Sequence, residues 1–141
     1  MIVRKARVSW APNGADGGGT IHPGSGAFTA TYSRKSRFES EPGTNAEELL
    51  AAAHASCFGM ALAGSLSRAG HVPNSLETTA AVHMDKANDG YHIIRIDLTV
   101  AGDVPGIEEP DFLQHARDMK VNCPISRALK AVDIFLEAKL V

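Results

Sequence analysis

TNAEELLAAAHASCFGMALAGSLSRAG, residues 44–70, decides the fold. It is rich in Ala and Leu and reads as one helix. Thr44 offers an N-cap hydroxyl, with Glu47 three residues on to close a capping box; Asn45 could cap instead and shift the frame by one. Arg68 and then Gly70 supply a basic last turn and a left-handed stop. Between Leu49 and Leu66 only His54, Ser56 and Ser65 carry strongly polar groups. A helix apolar nearly all round must be covered on most sides. At ~1.5 Å per residue it runs about 40 Å. Its small and polar residues are too many for a membrane-spanning segment. The stretch is therefore read as the central helix of a buried core, with Cys57 in its middle.

The totals around this helix are those of one soluble globular domain, taken as residues 1–141. Net charge is −2 and charged residues make up 21%, so nucleic acid is not expected as a partner. MIVRKARVSW at the start alternates and offers no apolar signal segment. A cytoplasmic setting is expected, with no membrane partner. Thiols stay reduced there, so two cysteines point to reactivity, metal binding or inert packing before a permanent staple.

Upstream, residues 2–10 alternate as a strand. APNGADGGG is a turn region without the strand–GxxxxGK–helix context of a phosphate cradle. Thr20–His22 and Ala27–Ser33 are further short strands, completing an N-terminal antiparallel meander. RKSRFESEPGTN, residues 34–45, reads as a charged loop. Downstream, Leu76–Met84 and Tyr91–Val100 form a hairpin around Asp89-Gly90, with Ile94, Ile96, Leu98 and Val100 on one face. A helix is expected over 110–121, opened by Pro110, then a short helix PISRALK and a last strand in AVDIFLEAKL. The class is α+β. Three thin strands on either side leave the long helix short of cover, and a symmetric dimer is the commonest remedy.

Each candidate for chemistry has an ordinary reading beside it. A free Cys in a buried helix, such as Cys57, is usually a small hydrophobe, and apolar burial makes it inert. Cys123 precedes Pro124 at the start of a short helix, where free N–H groups and the dipole favour a thiolate. The two are far apart in sequence and form no CxxC pair; they meet only if the short helix packs across the long one. A metal site could draw on His54, Cys57 and Cys123 with His83, His92 or His115, but only His54 and Cys57 have ligand spacing. His54 could also be a base for Cys57, or a helix histidine bonded to a neighbouring strand. Arg37 reads equally as a solvated charge, and Glu47 as a capping acid.

SRFESEPGTNAEELLAAAHASCFGMAL followed by NCPISRALK resembles the OsmC/Ohr family of thiol-dependent hydroperoxide reductases, nearer the OsmC branch. The similarity is dense over 36–63 and 120–131, and the order of elements fits from end to end. The resemblance implies an intertwined α+β homodimer with two active sites at its interface. It makes Cys57 the peroxidatic thiol, Cys123 the resolving thiol, Arg37 the cation near the reacting sulfur, and Glu47 the acid that holds Arg37. Ala46 stands where the family often has Pro. In the Ohr branch the arginine comes from the Gly-rich early segment, and GADGGG here has none. The implied activity is reduction of organic hydroperoxides, and of hydrogen peroxide, in oxidative or osmotic stress defence. A sulfenic acid on Cys57 condenses with Cys123 to a disulfide, which an external thiol or dithiol reduces; no cofactor is required. The rival expectation is a non-enzymatic protein that holds a small hydrophobic ligand, both cysteines being incidental. If the helix is continuous, Glu47 and Cys57 lie roughly 15 Å apart along it. Two antiparallel helices crossing at a two-fold axis would instead bring the start of one beside the middle of the other.

Overall fold

Three short strands open the chain: β1 (Ala6–Val8), β2 (Gly18–Pro23) and β3 (Ala30–Ser33) form an antiparallel sheet in that order. The computed structural model describes all of residues 1–141, and the chain divides into two compact units, Met1–Leu49 and Leu50–Val141. In the first unit the expected strand over 2–10 is reduced to three residues. The partner strand ends at Pro23, which has no N–H to give, and Gly26 then turns the chain at φ 74°. Ile21 is the one buried apolar side chain of this unit.

The stretch expected as a loop contains a helix, α1 (Arg34–Phe38). Ser33 and Ser36 cap it reciprocally: the Ser36 N–H donates to Ser33 Oγ at 3.0 Å and the Ser33 N–H to Ser36 Oγ at 2.9 Å. Ser36 Oγ also donates to the Thr44 carbonyl at 2.7 Å, folding the segment back on itself. One turn with a single apolar residue, Phe38, carries no apolar period, so the pattern could not reveal it.

The long helix, α2, is Ala46–Arg68. Asn45 caps it, not Thr44: its Oδ1 accepts from the Glu48 N–H at 2.8 Å. That one-residue shift releases Glu47 from capping. At the other end the His71 N–H reaches the Leu66 carbonyl at 3.0 Å and the Gly70 N–H the Ser67 carbonyl at 3.1 Å, with Gly70 at φ 89°. This is a Schellman stop. Despite its small and polar residues, α2 is long and apolar enough by composition to pass for a membrane span, as core helices of soluble proteins also do. Its stripe of His54, Phe58, Leu62 and Leu66, four residues apart, is instead buried in protein. The opposite face is open in the single chain, where Met60 is 76% exposed.

In the second unit β4 (Ser75–Ala87) and β5 (Gly90–Asp103) form the expected hairpin, longer than its alternation suggested. A register shift at His83/Met84 leaves Ile94 unpaired between Ile93 and Arg95. Ile94 is accordingly exposed, whereas Ile96, Leu98 and Val100 face the core. α3 (Glu109–Asn122) and α4 (Pro124–Ala128) make the crossover that lets β6 (Asp133–Leu140) lie parallel to β5. Phe58, Leu62 and Leu66 of α2 pack with Leu98, Val100, Phe112 and Ala116. Each large side chain buried here contributes roughly 1.5–3 kcal/mol. Gly102 is a condition of this packing, because a Cβ there would sit 2.7 Å from the Phe112 ring.

Candidate active site

Cys57 projects from the middle of α2 and is half-buried; Cys123, between α3 and α4, is buried, and both thiols are free. Cys123 is the N-cap of α4. Its sulfur accepts from the Ser126 N–H at 3.4 Å and lies 3.1 Å from Ser126 Oγ. The two sulfurs are neighbours: Cys57 packs against the core cluster that contains Cys123, with the Cys123 thiol within reach of its own. Burial pushes the Cys57 thiol up. The Ile125 N–H, hydrogen-bonded to that sulfur, pulls it down, and the Cys123 thiol raises it further. None of these causes is a cation, so within the second unit nothing positive favours the Cys57 thiolate.

His54 is fully buried three residues before Cys57. Its Nε2 lies 2.8 Å from Ser126 Oγ, and its Nδ1 has no partner. Burial holds its pKa down, so the ring is neutral. Neither a neighbouring strand nor Cys57 takes its hydrogen bond; Ser126 does. Ser126 was not singled out in the sequence. Its signal was a cap residue, Cys123, with a hydroxyl three positions on, the spacing of a capping box with sulfur at its head.

The other histidines of the expected metal set are engaged elsewhere: His83 with Asp97, His92 with Asp89 and His115 with Ser65, each at 2.8 Å. No three His, Cys, Asp or Glu side chains converge as a metal site.

In the first unit Arg37 and Glu47 form a two-pronged pair. Arg37 Nη2 donates to Glu47 Oε1 at 2.6 Å and Nε to Oε2 at 3.0 Å. This Arg37 fork lowers the Glu47 carboxyl below the usual carboxylate range, against the effect of burial. Its guanidinium also lies over the Phe38 ring at 5.1 Å. The single turn α1 and the Asn45 cap together place both side chains: one folds Arg37 back, the other leaves Glu47 free.

Two thiols side by side, one of them half-open, are the constellation of a thiol oxidoreductase. The model of the OsmC-like protein family matches residues 38–137. The chain is 41% identical over 140 residues to Peroxiredoxin OsmC of Escherichia coli, covering 99% of this chain and 97% of that one. It belongs to the OsmC-like protein family. Among solved structures it superposes on an OsmC-like protein of unknown function from Vibrio cholerae with a TM-score of 0.81 at 15% identity, covering 99% of this chain and 100% of that one. An organic hydroperoxide resistance protein of Bacillus subtilis gives a TM-score of 0.71 at 24% identity, covering 96% and 98% respectively. These two likenesses carry the fold alone.

Proposed function

We propose that the chain is a two-cysteine peroxidase that reduces organic hydroperoxides, and hydrogen peroxide, in stress defence. The observation that carries this is the pairing of a half-open thiol with a buried neighbouring one. The Cys57 thiolate attacks the outer oxygen of the hydroperoxide. The O–O bond breaks, Cys57 becomes a sulfenic acid and the alkoxide takes a proton to leave as alcohol. Cys123 then attacks the Cys57 sulfur, the S–O bond breaks, and water departs as the disulfide forms. Two equivalents of a small external thiol, or one of a dithiol, restore both thiols. A cytoplasmic setting suits this cycle, because thiol reductants are abundant there. The whole chain, 1–141, acts as one domain.

The working form is a homodimer. The open face of α2 with Met60 needs cover, and a second copy is its simplest source. A half-buried Cys57 in apolar surroundings needs a cation to be a thiolate at neutral pH. Arg37, gripped by Glu47, is that cation; the pair is supplied to Cys57 across the two-fold axis and stabilises charge on the departing oxygen.

The test is mass spectrometry after one equivalent of an alkyl hydroperoxide. The wild-type protein should lose both thiols and two hydrogens. Cys57→Ser should not turn over. Cys123→Ser should complete one round and stop as the sulfenic acid or higher oxides of Cys57. Thiols that stay free would overturn the reading in favour of a ligand-binding protein. Activity retained in Cys57→Ser, with sulfenic acid on Cys123, would reverse the two roles.

A further inference from the structure

The two sulfurs of the cycle are not equivalent, and the difference lies in what surrounds Cys123. Only 1% of Cys123 is exposed, whereas Cys57 is partly exposed. Access therefore favours Cys57 as the sulfur that any second small molecule meets. Thiol–disulfide exchange also depends on the leaving sulfur, which must carry away negative charge. Hydrogen-bond donors aimed at that sulfur ease its departure.

Ser126 supplies two such donors to Cys123. Its N–H points at Sγ from 3.4 Å, and its hydroxyl oxygen lies 3.1 Å away. Where the hydroxyl proton goes is decided by His54. A neutral imidazole has one N–H. If it sat on Nδ1, a buried donor would go unpaired, because Nδ1 meets no acceptor. Placing it on Nε2 pairs the donor with Ser126 Oγ at 2.8 Å and leaves only a lone pair unmatched, the cheaper orphan. With that oxygen accepting from His54, the Ser126 proton is directed at Cys123. At Cys57, by contrast, the donor is a backbone group, the Ile125 N–H, with no hydroxyl directed at the sulfur by a histidine.

We infer that in the reductive half of the cycle the external thiol attacks the Cys57 sulfur and Cys123 is expelled, with His54 and Ser126 as the positioning residues that make Cys123 the leaving group. The inference rests on the disulfide cycle proposed above. The external thiolate forms an S–S bond to Cys57 while the Cys57–Cys123 bond breaks, its electron pair remaining on Cys123. A second external thiolate then attacks the external sulfur of the adduct; the S–S bond to Cys57 breaks, the two external thiols depart joined as a disulfide, and the Cys57 thiolate is freed. Two electrons pass from two thiols to one disulfide.

The experiment starts from the full-length protein oxidised with one equivalent of alkyl hydroperoxide, its disulfide checked by intact mass. 2-Mercaptoethanol is added, the reaction is quenched within seconds by acid, free thiols are alkylated and the peptides are mapped. The adduct should sit on Cys57, with Cys123 alkylated. Ser126→Ala should slow reduction by about tenfold and spread the adduct over both cysteines. Ser126→Thr, which keeps the hydroxyl, should restore the preference. His54→Gln, which keeps an N–H donor, should behave like wild type, and His54→Leu like Ser126→Ala. Ser126→Ala removes a single oxygen, so it decides the matter if a His54 variant does not fold. An adduct on Cys123 in wild type, or an unchanged preference in Ser126→Ala, would overturn the inference while leaving the cycle intact. Failure of the disulfide to form at all would overturn both.

Discussion

Residues Met1–Leu49 hold a finished charge pair and no thiol, whereas Leu50–Val141 hold both thiols and no cation acting on Cys57. The first unit has one buried apolar side chain, Ile21; the second has the helix stripe, the β5 face and Phe112. A thiol in apolar surroundings needs a neighbouring positive charge to be a thiolate nucleophile, since burial alone raises its pKa. On the function proposed above, the contrast means that neither unit is a catalyst by itself. One organises a guanidinium on a short polar helix; the other organises sulfur in an apolar core. The chemistry proposed here requires a Cys57 from one and an Arg37 from the other.

The largest way to break this division is to remove the charge. Arg37→Ala should slow oxidation of Cys57 by on the order of a hundredfold, about 2.7 kcal/mol of barrier, with the protein still folded. Lys should rescue poorly, because it lacks the planar fork that Glu47 grips on one edge. Single-turnover peroxide consumption measures this. A rate within about threefold of wild type, ~0.65 kcal/mol, would remove Arg37 from the site.

Mixed dimers sharpen the contrast by asking whose charge serves whose thiol. A Cys57→Ser chain combined with a Glu47→Ala chain has two arrangements of its defects. If the pair acts on the partner's Cys57, both defects fall in one site and the other is intact. Activity then returns to as much as half of wild type. If the pair acts within its own chain, each site carries one defect and mixing restores nothing. Sedimentation as a monomer at micromolar concentration would remove the shared site altogether.

The smallest effect concerns the charge pair alone. The Arg37 fork holds the Glu47 carboxyl low, so its contribution to stability is fully present above the ordinary carboxylate range. It is lost as pH falls through the lowered folded-state value. With Arg37 39% exposed on its side chain, water screens the pair, and its worth is below about 1 kcal/mol. Urea unfolding of wild type and Glu47→Gln should differ by a constant small amount at neutral pH, and the curves should converge in acid. A difference that persists unchanged into acid would mean that Glu47 stabilises by packing and not by charge.

Much of this molecule could be read along the chain. The Ala- and Leu-rich run, its Arg68 and Gly70 stop, the hairpin and the α+β order rest on local periodicity and end signals, which sequence carries directly. So does the family resemblance, whose motifs surround Cys57 and Cys123. Other features were hidden because they depend on which group wins a bond. Thr44 and Asn45 both offered a cap, and only the folded backbone gave the Glu48 N–H to Asn45. α1 is a turn held by two serines, with no apolar period to announce it. Ile94 shares its alternation with Ile96 and is turned out by one unpaired residue in the ladder. His54 is one polar residue among alanines in the sequence. Tertiary structure alone placed Ser126 beside it, because a long-range hydrogen bond is set by how α4 packs on α2, and no spacing along the chain encodes that.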